Sequence, residues 1–358
     1  MNEKELFYLL ALQKSKGIGA INARKLILHA GSAEAVFLEK KQTLERIDGI
    51  GSFATQFLND KATLEKAESE LAFIQKHNIG YTTFLDTAYP EKLQHCADAP
   101  LLLFKDGAIH LEKQPIISIV GTRNMTTYGR DFIYKLVDDI AVYNPIIVSG
   151  FAYGVDITAH KAAIKNNLQT IAVLAHGITK IYPKSHKKYM NQVLENGGFY
   201  TEYWHDEESL REHFLQRNRI VAGISEATII IESASKGGSL VTATIANSYN
   251  REVFAVPGRI TDTYSQGCNN LIRTHKAALL NSAKDLVYLL NWDQSKKKKE
   301  VIQPQLFIDL QGDEKVIYDY LVSNGKTLLD TLSLACSIPI YKISGILVNL
   351  ELKGLVKP

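Results

Sequence analysis

Short runs of apolar, mostly β-branched residues alternate with helical stretches through the middle of the chain. The first two runs are Ile116–Val120 and Ile146–Val148, and a glycine follows each of them within two residues. Between them, apolar residues recur with helical spacing at Phe132, Ile133, Leu136, Val137, Ile140 and Ala141. Because continuous apolar strands that alternate with amphipathic helices are typical of buried parallel sheets, the pattern predicts βαβ units.

The same alternation continues to about residue 292. Further strands are predicted at Thr170–Ala175, Gly198–Tyr203, Ala227–Ile231, Glu252–Val256 and Ala277–Leu280. The intervening helices are predicted from Val155 onward and at Ser185–Asn196, Leu210–Ile224 and Leu240–Tyr249. Two earlier runs, Tyr81–Leu85 and Leu101–Phe104, are expected to add an edge to the sheet. The prediction is therefore an α/β fold with a doubly wound, mostly parallel, Rossmann-like sheet.

The region before this core, residues 1–75, is helical in pattern and contains one turn motif twice. The sequence G-I-G occurs at 17–19 and at 49–51, each time between helical segments, which predicts a small helix-hairpin-helix or SAM-like domain. Such a turn can bind a phosphate through backbone N–H groups, or it can simply need glycine for its dihedral angles. Both interpretations stay open, with Arg24, Lys25 and Arg46 as the nearby basic candidates.

The region after the core begins with a polar stretch, and residues 293–305 are expected to be a linker. Residues 306–358 then show three short helical segments, Glu314–Val322, Leu328–Ala335 and Tyr341–Lys353. Three helices followed by G-L-V predict a small winged-helix-like domain. The expected domains are thus 1–75, a core at 76–292, and 306–358.

Composition excludes several classes of protein. A net charge of +3 is too small to establish a nucleic-acid partner, so any basic surface must be local. The three cysteines form no C-x-x-C, which argues against a zinc knuckle or a disulfide framework and is compatible with a reducing cytosol. No apolar run reaches transmembrane length, and Leu6–Leu12 is interpreted as a helix rather than a signal peptide. We expect a cytoplasmic protein that does not enter a membrane.

The glycine loops do not fit the common cofactor motifs. The first core strand is followed by G-T-R-N-M-T, so the G-x-G-x-x-G of dinucleotide-binding proteins is absent, and no P-loop is present either. Asp156 and His160 stand four residues apart on a predicted helix, but no third metal ligand has suitable spacing. We interpret Asp156 as a helix cap and His160 as a hydrogen-bonded core residue. No catalytic residue, metal or cofactor is predicted.

What remains is a set of loops suited to anions at the carboxyl edge of the sheet. Four or five such loops exceed what one mononucleotide needs, and they indicate the repeated phosphates of a nucleic-acid strand. The hydroxyl loops could equally be ordinary helix caps. The candidate contact residues are Gly121, Thr122, Arg123, Ser149, Gly150, Phe151, Tyr153, Gly154, Lys180, Tyr182, Lys184, Arg217, Asn218, Arg219, Lys236, Gly237, Gly238 and Ser239.

These loops carry a series of motifs in order, and through them the chain resembles the DNA-processing protein A family (DprA, also called Smf). Residues 121–123 stand for the family's G-S-R, and residues 149–156, SGFAYGVD, stand for S-G-x-A-x-G-I-D. The later motifs are A-H at 159–160, Y-P at 182–183, R-N-R-I at 217–220, A-G at 222–223, G-S-L at 238–240, T-A at 242–243, V-P-G at 256–258 and G-C-N-N-L-I at 267–272.

The resemblance implies a bacterial cytosolic protein that binds single-stranded DNA during natural transformation. It implies that the protein protects incoming DNA and helps to load the recombinase RecA onto it, without being an enzyme. Arg123 and Lys184 match the family's basic residues in the DNA-binding pocket. The family dimerises through the late Rossmann core, and the apolar segment Ala277–Leu290 is the matching candidate here.

A rival interpretation is an enzyme on the same core. The Gly237-Gly238 loop is also similar to the nucleotide-cleaving phosphoribohydrolases, which carry P-G-G-x-G-T-x-x-E. The run here is KGGSLVTATIA, which lacks the proline, the third glycine and the catalytic glutamate.

Overall fold

The chain forms two compact units, Met1–Asp293 and Gln294–Pro358. The computed structural model describes residues 1–111, 113–293, 310–353 and 355–356. The predicted linker from residue 294 onward therefore lies outside the described residues.

A single nine-stranded sheet organises the first unit. The strands are β1 Gly80–Thr83, β2 Leu102–Gly107, β3 Ile116–Val120, β4 Ile146–Ser149, β5 Thr170–Val173, β6 Gly197–Thr201, β7 Ala227–Ile230, β8 Glu252–Ala255 and β9 Ala278–Leu279. Their order is β1-β2-β6-β5-β4-β3-β7-β8-β9. Within this order, all neighbouring strands from β6 through β3 to β9 pair in parallel. Strand β2 pairs antiparallel with β6, and β1 pairs antiparallel with β2. The predicted doubly wound sheet with an added edge is confirmed.

Helices cover both faces of the sheet, as the continuous apolar strands require. The helices of this region are α7 Glu91–Gln94, α8 Thr127–Ile140, α9 Val155–Lys165, α10 Met190–Glu195, α11 Arg211–Ile224, α12 Gly238–Ser248, α13 Gln266–Arg273 and α14 Ala283–Leu289, with 3₁₀ turns at Ala141–Tyr143 and Lys184–Tyr189. Apolar residues of α8, α9 and α14 pack with Ile117, Ile147 and Phe254 on one face. Residues of α11, α12 and α13 pack on the other. Several predicted strands ran one or two residues too long because buried residues such as Leu174 continue beyond the last paired position.

The N-terminal helices belong to the same compact unit as the sheet. They are α1 Glu3–Lys14, α2 Ala20–Ala30, α3 Ala33–Leu38, α4 Lys41–Leu44, α5 Ser52–Gln56 and α6 Lys61–His77. The Trp204 indole N–H donates to Gln13 Oε1 at 2.9 Å, and the His205 backbone N–H donates to Glu70 Oε1 at 3.1 Å. Hydrogen bonds therefore join residues on the two sides of the predicted boundary at residue 75.

The two G-I-G turns connect helices and lie against each other. Gly17 and Gly49 have φ of 80° and 85°, so both need the left-handed conformation that glycine adopts without strain. Lys25 Nζ donates to the Asp48 carbonyl at 2.8 Å, and Arg24 donates to the Cys96 carbonyl at 2.7 Å. Because two of the three nearby basic side chains are committed to backbone carbonyls, these contacts favour the structural interpretation of the turns.

The second unit contains three described helices, which match the sequence prediction. They are α15 Asp313–Asn324, α16 Leu329–Cys336 and α17 Ile340–Leu352, packed around Ile317, Leu332 and Ile343. The predicted wing begins at Gly354, which lies outside the described residues, so the winged-helix assignment stays a prediction. No single described helix has the length and apolar character needed to cross a membrane, although α16 and α17 together, bent by 105°, reach both.

The pairing of β2 with β6 provides a test of the fold. Gly107 has φ +101°, and a Cβ there would stand 2.3 Å from the Gly197 carbonyl oxygen. We expect Gly107→Ala to lower the free energy of unfolding by about 2–4 kcal/mol, since left-handed strain and a backbone clash add together. Urea unfolding followed by tryptophan fluorescence measures this, because Trp204 and Trp292 both lie in the first unit.

The matched control for this prediction is Gly19→Ala. A Cβ on Gly19 meets nothing within 4 Å, and its φ of −87° suits any residue. The control should change the free energy of unfolding by no more than about 1 kcal/mol. Equal stability of the two variants would contradict the described register.

Candidate functional site

A cavity of about 340 Å³ opens at the carboxyl edge of the sheet. It lies where β3 has β4 on one side and β7 on the other, which is the switch point of a doubly wound sheet and the usual place of its ligand. The loops after β3, β4 and β7 line it together with α11 and the start of α12. The lining residues with candidate polar chemistry are Thr122, Arg123, Asp156, Arg217, Asn218, Lys236, Ser239, Thr242 and Tyr264.

Backbone hydrogen bonds fix the loop after β3, and the Arg123 side chain is exposed. The Thr122 N–H donates to the Glu232 carbonyl at 2.8 Å, and the Thr122 carbonyl accepts from the Val155 N–H at 3.2 Å. A Cβ on Gly154, which has φ +74°, would stand 2.3 Å from that same carbonyl oxygen. Gly154 therefore acts by letting the two loops touch, and Arg123 projects from the resulting rigid turn.

A buried pair of opposite charges forms the floor of the cavity. A Cβ on Gly150 would stand 2.2 Å from Arg217 Nη1 and 2.3 Å from Asp156 Oδ2. Both groups therefore occupy the space that a side chain at position 150 would need. Arg217 Nη1 also donates to the Val173 carbonyl at 2.6 Å, while Arg217 Nε is buried and has no hydrogen-bond partner in the part of the chain that the structure describes. Burial raises the pKa of Asp156 and lowers the pKa of Arg217, and each charge partly offsets the effect of burial on the other.

The loop after β7 presents the start of a helix to the cavity. Gly237 is the N-cap of α12 and supplies no side chain to cap the first N–H groups. Ser239 is already committed, since its hydroxyl donates to Ser233 Oγ at 2.9 Å. Lys236 is exposed beside this helix end. The positive end of the helix dipole and an ammonium thus reinforce each other at the cavity wall.

Aromatic rings stand at the mouth of the cavity. The Arg123 guanidinium lies 5.2 Å from the centre of the Phe214 ring, and the Tyr182 ring packs edge-on against Phe214 at 5.3 Å. Tyr153 is 46% exposed, and its hydroxyl lies 2.9 Å from Ser185 Oγ. Lys184 is exposed and forms no ion pair with any described residue. Arg123, Phe214 and Tyr182 therefore follow one another at the cavity mouth, and Lys184 comes two residues after Tyr182 in the chain.

Four of the predicted contact residues are not placed to meet a ligand in the cavity. Ser149 is fully buried and donates to the Ile119 carbonyl at 2.6 Å, and Phe151 is packed against Phe199. Arg219 pairs with Glu202 in a separate cavity, because residues two apart on a helix point about 200° apart and Arg217 takes the inner face. Lys180 is at the rim, but it pairs with Glu208 at 2.7 Å.

The sequence-based interpretation of His160 as a core residue is confirmed. Its Nδ1 lies 2.7 Å from Thr170 Oγ1 and its Nε2 lies 2.7 Å from the Gly150 carbonyl oxygen. Burial lowers the pKa of His160 to about 4, so the ring is neutral near pH 7. The interpretation of Asp156 as a helix cap is wrong: Gly154 is the N-cap of α9, and Asp156 accepts from the Ala152 N–H of the preceding loop at 3.4 Å. Asp156 also lies close to Arg217, which the sequence did not indicate.

Phe214 is the aromatic rim residue that sequence reasoning missed, and Thr242 and Tyr264 also line the cavity without having been predicted. Phe214 links the rim residues of two loops that are far apart in the chain. The signal that could have found it is spacing, since it stands three residues before Arg217 on α11 and shares a helix face with it.

Fold and site together define a Rossmann-like protein with a positively charged binding cavity at the switch point. The sequence model of the family described as "DNA recombination-mediator protein A" matches residues 80–291. The chain belongs to this family, which confirms the resemblance drawn from the motifs.

Relatives and solved structures agree with this assignment. The chain is 38% identical over 205 residues to DNA processing protein DprA of Streptococcus pneumoniae, covering 57% of this chain and 72% of the relative. It is 36% identical over 217 residues to DNA processing protein DprA of Bacillus subtilis, covering 60% of this chain and 73% of the relative.

Among solved structures, the X-ray structure of the Streptococcus pneumoniae protein gives a TM-score of 0.68 at 30% identity, covering 80% of this chain and 98% of that one. A structure of DNA processing protein A from Helicobacter pylori, described as giving insights into its single-stranded DNA binding mode, gives 0.54 at 30% identity, covering 60% and 96%.

The buried pair on the cavity floor predicts a pH-dependent effect on stability. In Arg217→Met, Asp156 is buried without an opposite charge, and its pKa rises further above the unfolded value. A raised carboxyl pKa contributes stability below the unfolded pKa, and this stability is lost as the pH rises through the folded pKa. We expect the variant to lose about 3–5 kcal/mol near pH 8 and clearly less near pH 5.

Urea unfolding at both pH values checks this prediction. The control is Arg211→Met on the same helix, where the side chain is exposed and no buried carboxylate depends on it. A deficit of Arg217→Met that is the same at both pH values would show that Asp156 is not the group left uncompensated.

Proposed function

We propose that the cavity and its rim bind single-stranded DNA, with phosphates held by the loops and bases placed against the aromatic rings. The observation that carries this proposal is the row of Arg123, Phe214 and Tyr182 at the cavity mouth, with the exposed Lys184 two residues beyond Tyr182 in the chain. Basic groups that track a backbone beside rings that can stack bases are the usual means of binding a single strand. In a duplex the bases are already stacked inside, so the rings would have no partner.

The division of charge between floor and rim supports this use of the cavity. Arg217 is buried and balanced by Asp156, whereas Arg123 and Lys184 are exposed and form no ion pair with a described residue. A planar guanidinium suits two-point contact with a phosphate, and an ammonium acts as a point charge on a neighbouring phosphate. Lys236, with the start of α12, adds a third anion contact.

The cellular role follows from the family. We propose that the protein acts in the cytoplasm during natural transformation, protects incoming single-stranded DNA and promotes loading of RecA. The family description as a recombination mediator supports a role in recombination, and the Helicobacter pylori protein is described as binding single-stranded DNA. The proposal requires no cofactor and no catalysed reaction.

The rival phosphoribohydrolase activity has little support at the corresponding loop. Helix α12 follows Gly237 and contains no acidic residue that could act on a glycosidic bond. We therefore expect the protein to release no base from nucleoside monophosphates and to turn over no ATP.

We further propose that the protein forms a homodimer through the late part of the core. Strand β9 ends the sheet, and three apolar side chains near it are exposed: Leu279 at 41%, Tyr288 at 80% and Leu289 at 45%. An unprotected edge beside apolar side chains is a surface suited to a second copy.

The dimer proposal is tested by Tyr288→Lys combined with Leu289→Lys. We expect light scattering to give a dimer for the parent and a monomer for this variant, because two buried cations would face each other across a symmetric interface. Leu38→Lys, at an exposed position on α3, is the control and should remain dimeric. A dimer in all three proteins would place the interface elsewhere.

The DNA-binding proposal is tested by Arg123→Ala and Lys184→Ala. Each change should weaken binding to single-stranded oligonucleotides of every sequence alike, and it should flatten the dependence of log K on log salt by about 0.7. Charge reversal at both positions should nearly abolish binding while the fold is retained, since both side chains are exposed. Fluorescence anisotropy over a range of salt concentrations measures both quantities.

Lys284→Ala is the matched control, because it removes one exposed positive charge from α14, no residue of which lines the cavity. It should leave affinity and salt slope unchanged. If the double charge reversal binds as tightly as the parent at moderate salt, the site lies elsewhere.

A further inference from the structure

Two lysines from different elements are gathered over one tyrosine beside the rim. Lys161 of α9 places its Nζ 4.4 Å from the centre of the Tyr189 ring, and Lys188 places its Nζ 5.1 Å from the same centre. The two nearby ammonium groups lower the pKa of the Tyr189 hydroxyl. Tyr189 itself is half-buried against the apolar cluster around Phe151. Both ammonium groups are therefore held beside the same partly buried ring.

The positive charge of this pair is not balanced by the described residues. The charged groups that act on Tyr189 and on the neighbouring His186 are Lys161 and Lys188, and both lower the pKa of the two rings. By contrast, Lys165, one turn further along α9, pairs with Asp138 at 3.3 Å. Each ammonium group attracts an anion, so a phosphate beside the Tyr189 ring gains from both.

The pair lies at the end of a path that begins at the cavity. The 3₁₀ turn Lys184–Tyr189 starts at the rim lysine and ends at Tyr189. Along it, the Tyr153 and His186 rings lie 4.9 Å apart, and the His186 and Tyr189 rings lie 5.8 Å apart. Tyr153 belongs to the loop after β4, whose Gly150 lines the cavity. Tyr153, Lys184 and Lys188 are exposed along this turn, whereas the His186 ring is buried and contacts both tyrosine rings from within.

We propose that Lys161 and Lys188, held over Tyr189, form a second phosphate-binding point for a single strand that leaves the cavity along the Lys184–Tyr189 turn. This inference rests on the proposed function of the cavity and assigns the direction in which the strand continues. A short oligonucleotide that fills the cavity alone does not reach the pair. A longer oligonucleotide reaches both sites, so the pair contributes only above a certain length.

The test compares oligothymidylates of about 5 and about 20 nucleotides, lengths that bracket the usual site of a single-strand binding domain. In Lys161→Ala/Lys188→Ala we expect the long oligonucleotide to bind about tenfold more weakly, with a salt slope reduced by about 1.4. The short oligonucleotide should bind as it does to the parent. Fluorescence anisotropy on the full chain at several salt concentrations gives both values.

Two variants serve as controls for charge and for chemistry. Lys135→Ala/Lys165→Ala removes the same number of charges from two lysines that are paired with Asp139 and Asp138, and it should leave both lengths unaffected. Lys161→Arg/Lys188→Arg keeps the charges and should retain most of the affinity for the long oligonucleotide. Arg123→Ala should weaken the binding of both lengths.

The outcomes separate this inference from the proposal on which it rests. Parental affinity of Lys161→Ala/Lys188→Ala for the long oligonucleotide overturns the second site, and so does an equal loss for both lengths, which would make the pair part of the cavity site. If Arg123→Ala also binds both lengths as tightly as the parent, the cavity proposal itself fails.

Discussion

The site depends on two places where the backbone carries no side chain. At Gly154 a Cβ would meet the Thr122 carbonyl, and at Gly150 it would meet both Arg217 and Asp156. Close contact between the loops after β3 and β4 therefore sets the position of Arg123, and the gap above Gly150 admits the charged pair of the floor. Because either contact fails with the addition of one methyl group, the shape of the cavity is fixed by the backbone and not by adaptable side chains.

Charges with similar positions in the sequence have different functions because their surroundings differ. Arg217 is buried, balanced and committed to the Val173 carbonyl, so its contribution is to the structure of the floor. Arg123 and Lys184 lie in water at the rim, where a phosphate can replace solvent at little cost. Lys180 is also at the rim, but it already forms an ion pair with Glu208. We therefore propose that the electrostatic attraction for a strand comes from a few residues, in agreement with the small net charge of +3.

Much of the sheet was predictable from the sequence because buried parallel strands are continuous apolar runs with glycine loops at their ends. Ile116–Val120 was predicted with its observed limits, and so was the parallel arrangement of its neighbours. Side-chain orientation was less predictable: Ser149 looked available in the sequence, yet it is the last residue of a buried strand. Arg219 was grouped with Arg217 by motif, whereas the helix separates them. The contact between the N-terminal helices and the sheet leaves no local pattern in the sequence, because it joins residues far apart in the chain, such as Gln13 and Trp204.

The junction between the N-terminal helices and the sheet has a consequence for synthesis on the ribosome. Trp204 lies 191 residues after its partner Gln13, and His205 lies 135 residues after Glu70. At bacterial translation rates the docking surface for Glu70 emerges on the order of ten seconds after Glu70 itself. During that interval the first helices are present without the surface that covers them. The nascent chain is therefore most exposed to chaperones and proteases before residue 205 has left the ribosome.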